Sequence, residues 1–179
     1  MKNRIIIFAI LLSTMTACAQ SKKSSKSVSE NEDGILEIEN VEKIEKSEQE
    51  WRQELTADEF EILREKGTEA RFTGDLLGNK KEGIYVCAGC DLPLFSSRSK
   101  FESGTGWPSY FRPIDADAIE EVKDTSYGMM RTEVVCARCD GHLGHVFSDG
   151  PKPTGLRYCI NSVALDFEEK DLSQLASKK

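Results

Sequence analysis

The chain has 179 residues, 39% of them hydrophobic and 31% charged, with a formal net charge of -7. That length supports one medium domain with a real core, but not comfortably two. The acidic balance argues against nucleic acid, whose phosphates reward clusters of Lys and Arg, and describes a solvated surface.

At the N-terminus, Lys2 and Arg4 flank the start of an unbroken apolar run from Ile5 to Leu12. The run is far shorter than the roughly 20 residues that span a bilayer, so it reads as the apolar part of an export signal. Thr16 and Ala17 then lead into Cys18. Small residues directly ahead of a cysteine resemble the lipobox of bacterial lipoproteins. The resemblance implies that residues 1–17 are removed as a signal peptide and that Cys18 carries lipid. The protein would then be exported and held at the periplasm-facing surface of the cell envelope by that lipid alone. An ordinary signal peptide with an incidental Cys18 is the alternative. Residues 18–46 follow as a lipidated tether, rich in Lys, Ser and Glu. Ile35, Ile38, Val41 and Ile44 recur at intervals of three, a pattern open to a weak amphipathic helix or a partly ordered linker.

The ordered domain is expected over residues 47–168, with a polar tail at 169–179. Ser47 and Glu50 form a capping-box pattern ahead of Trp51 and Leu55, and Thr56 with Glu59 repeats it ahead of Phe60, Ile62 and Leu63. Two short helices follow from this, about 48–55 and 57–66, with Gly67 as the stop. After Gly67 the texture changes to short segments rich in aromatic and β-branched residues. Ile84–Cys87, Met129–Cys136, His145–Phe147 and Leu156–Ser162 read as strands. No long amphipathic helix separates them, which excludes a parallel doubly wound sheet and leaves a mainly β, antiparallel arrangement.

The six cysteines divide unequally. Cys87 and Cys90 form one CxxC, Cys136 and Cys139 another, and 45 residues lie between them. An exported chain permits disulfides, but vicinal bridges are strained. Two CxxC turns instead close a four-thiolate tetrahedral shell, the pattern of structural zinc, and would pin two distant hairpins together. Gly89 is able to supply a positive φ in the first turn.

Cys159 stands alone, in Arg157-Tyr158-Cys159-Ile160-Asn161-Ser162. Alternation along a strand places Arg157, Cys159 and Asn161 on one face and turns Tyr158 and Ile160 to the core. A neighbouring guanidinium favours the thiolate, so the thiol pKa is expected to fall. An inert core cysteine is the opposing reading, against which the polar neighbours argue. His142 and His145 are the only histidines, three and six residues beyond Cys139. Four cysteines already complete a zinc shell, which leaves the imidazoles for proton transfer.

Three stretches, Phe101 to Tyr110, Gly141 to Pro151 and Arg157 to Ser162, together with both CxxC pairs, resemble the B-type methionine sulfoxide reductases from about Ser47 to Phe167. The resemblance implies two antiparallel sheets with short N-terminal helices, structural zinc, and thiol-dependent reduction of methionine (R)-sulfoxide in proteins. It makes Cys159 the nucleophile, His142 and His145 the groups that bind and protonate the sulfoxide oxygen, Arg157 and Asn161 their supports, and Trp107 the wall for the substrate methyl group. Thr105 stands where many members carry a resolving cysteine. A one-cysteine cycle is therefore expected, with the Cys159 sulfenic acid reduced by an external thiol, such as a thioredoxin-like protein. A monomer is expected. The competing readings are a zinc-ribbon-like interaction module without catalysis, and a thiol peroxidase or disulfide exchanger acting through Cys159.

Overall fold

The computed structural model of the protein describes residues 28–30, 36–38 and 41–174. The expected signal peptide, Cys18, most of the tether and the last five residues of the C-terminal tail lie outside the described residues.

Two short strands, β1 (Val28–Glu30) and β2 (Leu36–Ile38), pair antiparallel ahead of the helices. Part of the stretch expected as a tether packs onto the domain: Ile38, Val41 and Ile44 lie against the core. Their backbone is pinned there, with Ile44 N–H donating to Arg138 O at 2.8 Å and Ile38 N–H donating to Asp115 Oδ2 at 2.7 Å. Among the described residues of this stretch, Leu36–Ile38 is a strand and residues 41–46 form no helix, so its apolar side chains pack on the domain without a helical face.

Helices α1 (Glu48–Glu54) and α2 (Ala57–Glu65) begin with reciprocal capping boxes at Ser47/Glu50 and Thr56/Glu59, which satisfy backbone donors that the first turn leaves unpaired. Lys66, at φ 59°, is the left-handed residue that ends α2, one position before the expected Gly67. Trp51, Phe60, Ile62 and Leu63 are the faces these helices bury.

Nine further strands follow: β3 (Gly83–Cys87), β4 (Pro93–Ser96), β5 (Lys100–Phe101), β6 (Ser109–Tyr110), β7 (Ile119–Asp124), β8 (Arg131–Cys136), β9 (His142–Phe147), β10 (Arg157–Ile160) and β11 (Leu165–Glu169). They form two antiparallel sheets, ordered β5-β6-β10-β9-β8-β7 and β11-β3-β4. Tyr110 joins the sheets in the core, stacked on Phe95 at 4.4 Å and edge-on to Tyr85 at 5.2 Å. Such ring geometries add to the area term of burial.

One irregularity positions the chemistry. The β8–β9 register shifts between Val134 and Val135, so that Glu133 lies opposite His145 while Val135 lies opposite His142. In a regular strand, residues three apart point to opposite faces. The bulge inserts one residue and returns His142 to the face of His145. Cys159 lies opposite His145 on the other side of β9, so it shares that face.

Candidate active site

Two cysteine sites emerge, one joining the two sheets and one on the larger sheet. The CxxC pairs occupy the β3–β4 and β8–β9 turns, which have the same construction. Cys87 O accepts from Asp91 N–H at 2.9 Å, and Cys136 O accepts from Asp140 N–H at 3.0 Å. Asp91 and Asp140, both at φ 57°, are the left-handed residues of these turns. The expected role of Gly89 is thus taken by an aspartate two positions on, a residue type that tolerates this conformation. The four sulfurs lie within 4.8 Å of one another, with Cys87–Cys139 at 3.6 Å and Cys90–Cys136 at 3.5 Å, and all four are free thiols. Sulfurs 2.3 Å from a central ion at tetrahedral corners stand about 3.8 Å apart, so the spacing fits a metal ion and not a disulfide. Without a cation, the thiols hydrogen-bond to one another: Cys136, Cys139 and Cys90, with burial added, hold Cys87 well above the ordinary thiol range. Second-layer donors steady the turns, Arg64 Nη1 to Cys139 O at 2.6 Å and Arg138 Nη1 to Cys90 O at 3.0 Å.

Cys159 lines a cavity of about 130 Å³ with Thr68, Trp107, Arg131, Gly144, His145, Phe147 and Asn161. Gly144 must be glycine there, because an added Cβ would lie 2.1 Å from Cys159 O. The nearest polar side-chain partner of the thiol is Thr105 Oγ1 at 3.9 Å. Thr105 is itself joined to Ser103 at 2.8 Å, and Ser103 to Ser109 at 2.7 Å, forming a hydroxyl chain that leads away from the sulfur.

Burial pushes the Cys159 thiol up, and this outweighs the lowering by Thr105 and Arg157. Arg157 lowers the thiol as expected, but burial outweighs it and the net shift is upward. The charge of Arg157 is engaged elsewhere: Nε and Nη2 grip the two oxygens of Asp149 at 2.9 and 3.0 Å, and the guanidinium stacks 4.4 Å from the Phe147 ring centroid. A bidentate carboxylate neutralises most of the field at a neighbour.

The histidines sit at the ends of two similar chains. His145 Nε2 meets Asp124 Oδ2 at 2.8 Å, and Arg131 Nη2 donates to the same oxygen at 2.6 Å. Hydrogen bonds from Ser126, His145 and the Arg131 charge hold Asp124 well below the usual carboxylate range. Nδ1 is left as the ring nitrogen without a protein partner among the described residues. His142 Nδ1 meets Glu133 Oε1 at 2.8 Å, and Lys66 Nζ donates to Glu133 Oε2 at 2.8 Å. Burial raises Glu133, but Lys66 and His142 overcome it and the net shift is downward. Burial also lowers His142, whose ring is 3% exposed. The two rings meet edge to face at 5.4 Å.

Of the sequence-predicted residues, Cys159, His145, Trp107 and Asn161 meet at the cavity. His142 and Arg157 stand behind it. Asn161 is a clamp: Nδ2 donates to Leu143 O at 3.0 Å and Oδ1 accepts from Glu69 N–H at 3.1 Å, so it supports the loop rather than the thiol. Glu69 O in turn accepts from Trp107 Nε1 at 3.2 Å, and its carboxylate caps Ser162 N–H and Val163 N–H. Asp124, Arg131, Glu133 and Glu69 escaped sequence reasoning. Each reads alone as an ordinary surface charge, and no spacing marks its partner.

Comparison with known proteins places this geometry in context. The SelR domain family matches residues 55–169. Peptide methionine sulfoxide reductase MsrB of Pseudomonas putida (strain W619) is 57% identical over 131 residues, 73% of this chain and 98% of that protein. The protein of the same description from Leptospira interrogans is 54% identical over 127 residues, 71% of this chain and 97% of its own length. That from Methanosarcina barkeri is 57% identical over 128 residues, 72% of this chain and 90% of its own length.

Proposed function

This chain belongs to the SelR-domain family of MsrB peptide methionine sulfoxide reductases, and we propose that it reduces the R epimer of methionine sulfoxide in proteins through Cys159. The observation that carries this reading is the lone thiol in a small cavity, with an imidazole on the same sheet face and an indole in its wall.

The Cys159 sulfur attacks the sulfoxide sulfur. The sulfoxide oxygen is protonated and ends on Cys159 as a sulfenic acid, while methionine leaves as the thioether. His145 supplies the proton through Nδ1, the nitrogen left facing away from Asp124. Asp124, fixed by Arg131 and Ser126, orients the ring and balances its charge when protonated. His142 stays neutral behind it. Trp107 packs on the substrate methyl group, where sulfur–aromatic contact is favourable. Two molecules of an external thiol, or a dithiol of the thioredoxin type, return Cys159 to the thiol with release of a disulfide and water. Thr105 is a hydroxyl, and the knuckle thiols are committed to each other, so no second thiol among the described residues serves that step.

The metal at the knuckles is zinc in this reading. A full thiolate shell suits it and has no open position for chemistry. Lys2, Arg4, the Ile5–Leu12 run and Cys18 support export and lipid anchoring at the envelope, acting as a monomer. Fifty-four residues precede the family match, enough for such a leader and tether.

The test is stereospecific reduction of a methionine-sulfoxide peptide with dithiothreitol. The folded, metal-loaded domain is expected to consume only the R epimer, and Cys159→Ser to lose that turnover by at least about 10³-fold. Turnover by Cys159→Ser at the wild-type rate, or consumption of the S epimer alone, would overturn the reading.

A further inference from the structure

Phe72 is placed in a way that neither packing nor backbone preference explains. It is 63% exposed, so it buries little apolar surface. Its backbone is left-handed at φ 68°, a region that costs a non-glycine residue roughly 1–2 kcal/mol and is rare for a bulky one. The conformation is held from outside: Phe72 N–H donates to Gly106 O at 2.8 Å, and Thr73 Oγ1 donates to Ala70 O at 2.7 Å. The ring lies over Gly106, where an added Cβ would come within 3.1 Å of two of its carbons. Gly106 immediately precedes Trp107, the indole wall of the Cys159 cavity. The same loop touches that indole twice more, through Arg71 at 5.4 Å from the ring centroid and through Glu69 O.

Backbone strain that surrounding contacts maintain is concentrated where it serves binding. We propose that Phe72 is a docking residue for protein substrates, contacting an apolar side chain next to the oxidised methionine in an extended segment. The inference rests on the sulfoxide reductase reading of the Cys159 cavity and names what recognises the rest of the substrate. The oxidised side chain must reach the half-buried Cys159 inside the cavity, so the flanking residues of a polypeptide meet the surface around it. Phe72, exposed and lying over the residue before Trp107, offers an apolar ring on that side. Phe147, 36% exposed and part of the cavity wall, offers a second aromatic surface. Exposed aromatics are the side chains that carry most energy in such contacts, since they add area at little entropy cost.

The test compares free methionine (R)-sulfoxide with two peptides carrying it, one with leucine and one with serine at the flanking positions, for wild type, Phe72→Ala and Phe72→Gly. Phe72→Ala is expected to lower kcat/KM for the leucine-flanked peptide about tenfold, through KM, and to leave the free amino acid within about twofold. The preference for leucine over serine flanks is expected to vanish. Phe72→Gly removes the ring and relieves the left-handed strain, so it should show the same loss of peptide preference with no fall in thermal midpoint. An equal fall for free sulfoxide and peptides, or a fall in thermal midpoint in Phe72→Gly, would make Phe72 a structural support of the loop and overturn the proposal. Unchanged peptide kinetics in both variants would overturn it as well. If wild type reduces neither peptide nor free sulfoxide, the reductase reading fails first, an outcome distinct from any of these.

Discussion

The knuckle thiols and Cys159 occupy opposite environments: the knuckles join the two sheets, and Cys159 lies on the larger one. The four knuckle sulfurs face one another in two matched turns, whose carbonyls accept from the guanidinium groups of Arg64 and Arg138. Cys159 faces a cavity, with a hydroxyl at 3.9 Å as its nearest polar partner and no other thiol at hand. Each knuckle is made by a run of five residues, Cys87–Asp91 or Cys136–Asp140, whereas the cavity at Cys159 is built from five separate stretches of chain. The difference teaches that a closed thiolate shell is a local device repeated twice, while a reactive thiol depends on what distant segments deliver to it. The knuckle sulfurs are placed to close around an ion, whereas the half-buried Cys159 thiol has no such shell and is pushed up by its burial.

The largest expected effect breaks the first side of this contrast. Removing one knuckle ligand by Cys136→Ala leaves three thiols, two of them buried, that no longer close a shell. Structural zinc sites supply on the order of 10 kcal/mol of apparent folding energy, comparable with the whole stability of a domain. The variant should bind no metal and lose its cooperative thermal transition, followed by circular dichroism with metal analysis. A melting curve that a strong chelator leaves unmoved would show that the knuckles hold the fold without an ion.

A smaller effect sharpens the second side. Asp124→Asn keeps the shape of the His145 support but removes its charge and its fixed acceptor. General acid catalysis contributes about 10²–10⁴-fold, and loss of orientation forfeits part of it, so kcat should fall roughly 10- to 100-fold with KM little changed. Metal content should stay at the wild-type level, separating this defect from that of Cys136→Ala. A kcat within twofold of wild type would remove Asp124 from the mechanism.

The smallest effect lies in stability against pH, where the Lys66–Glu133–His142 chain acts, buried at Glu133 and His142. Folding lowers His142 by burial, so the unfolded chain takes up a proton that the folded one refuses. That stability is present above the unfolded value of about 6.5 and is lost as pH falls below it. Glu133 is also depressed on balance, and its contribution is present above the unfolded value of about 4.3 and lost on further acidification. Denaturant midpoints should therefore decline from about pH 6.5 downwards, and His142→Asn should lack the first part of that decline. A wild-type midpoint that is flat from pH 7 to 5 would contradict the burial of a neutral His142.

Much of this was legible in the chain itself, at particular residues. Ser47/Glu50 and Thr56/Glu59 define the two helix starts because a capping box closes over three residues. The CxxC pairs imply their turns for the same reason of short range. The Arg157–Ser162 run signals a strand whose Tyr158 and Ile160 are buried, as alternation requires. Strand β7 escaped notice because Glu120, Glu121 and Lys123 disfavour strands by composition, and only its edge position, exposed on most of its length, accommodates them.

The sequence by itself determined what short-range chemistry encodes: helix starts, knuckle turns, and an isolated thiol in a polar strand. Only the tertiary structure decided which charges serve that thiol. Asp124 reaches His145 across 21 positions, and Glu69 reaches Asn161 across 92. The bulge at Val134–Val135 turns His142 to the face of His145, an outcome no period in the sequence announces. It also gave the Arg157 fork to Asp149 and buried Cys159, and that burial sets the sign of the thiol shift. The physical reason is that electrostatic partners act through space at 3–4 Å, and strand register alone brings residues so far apart in the chain to that distance.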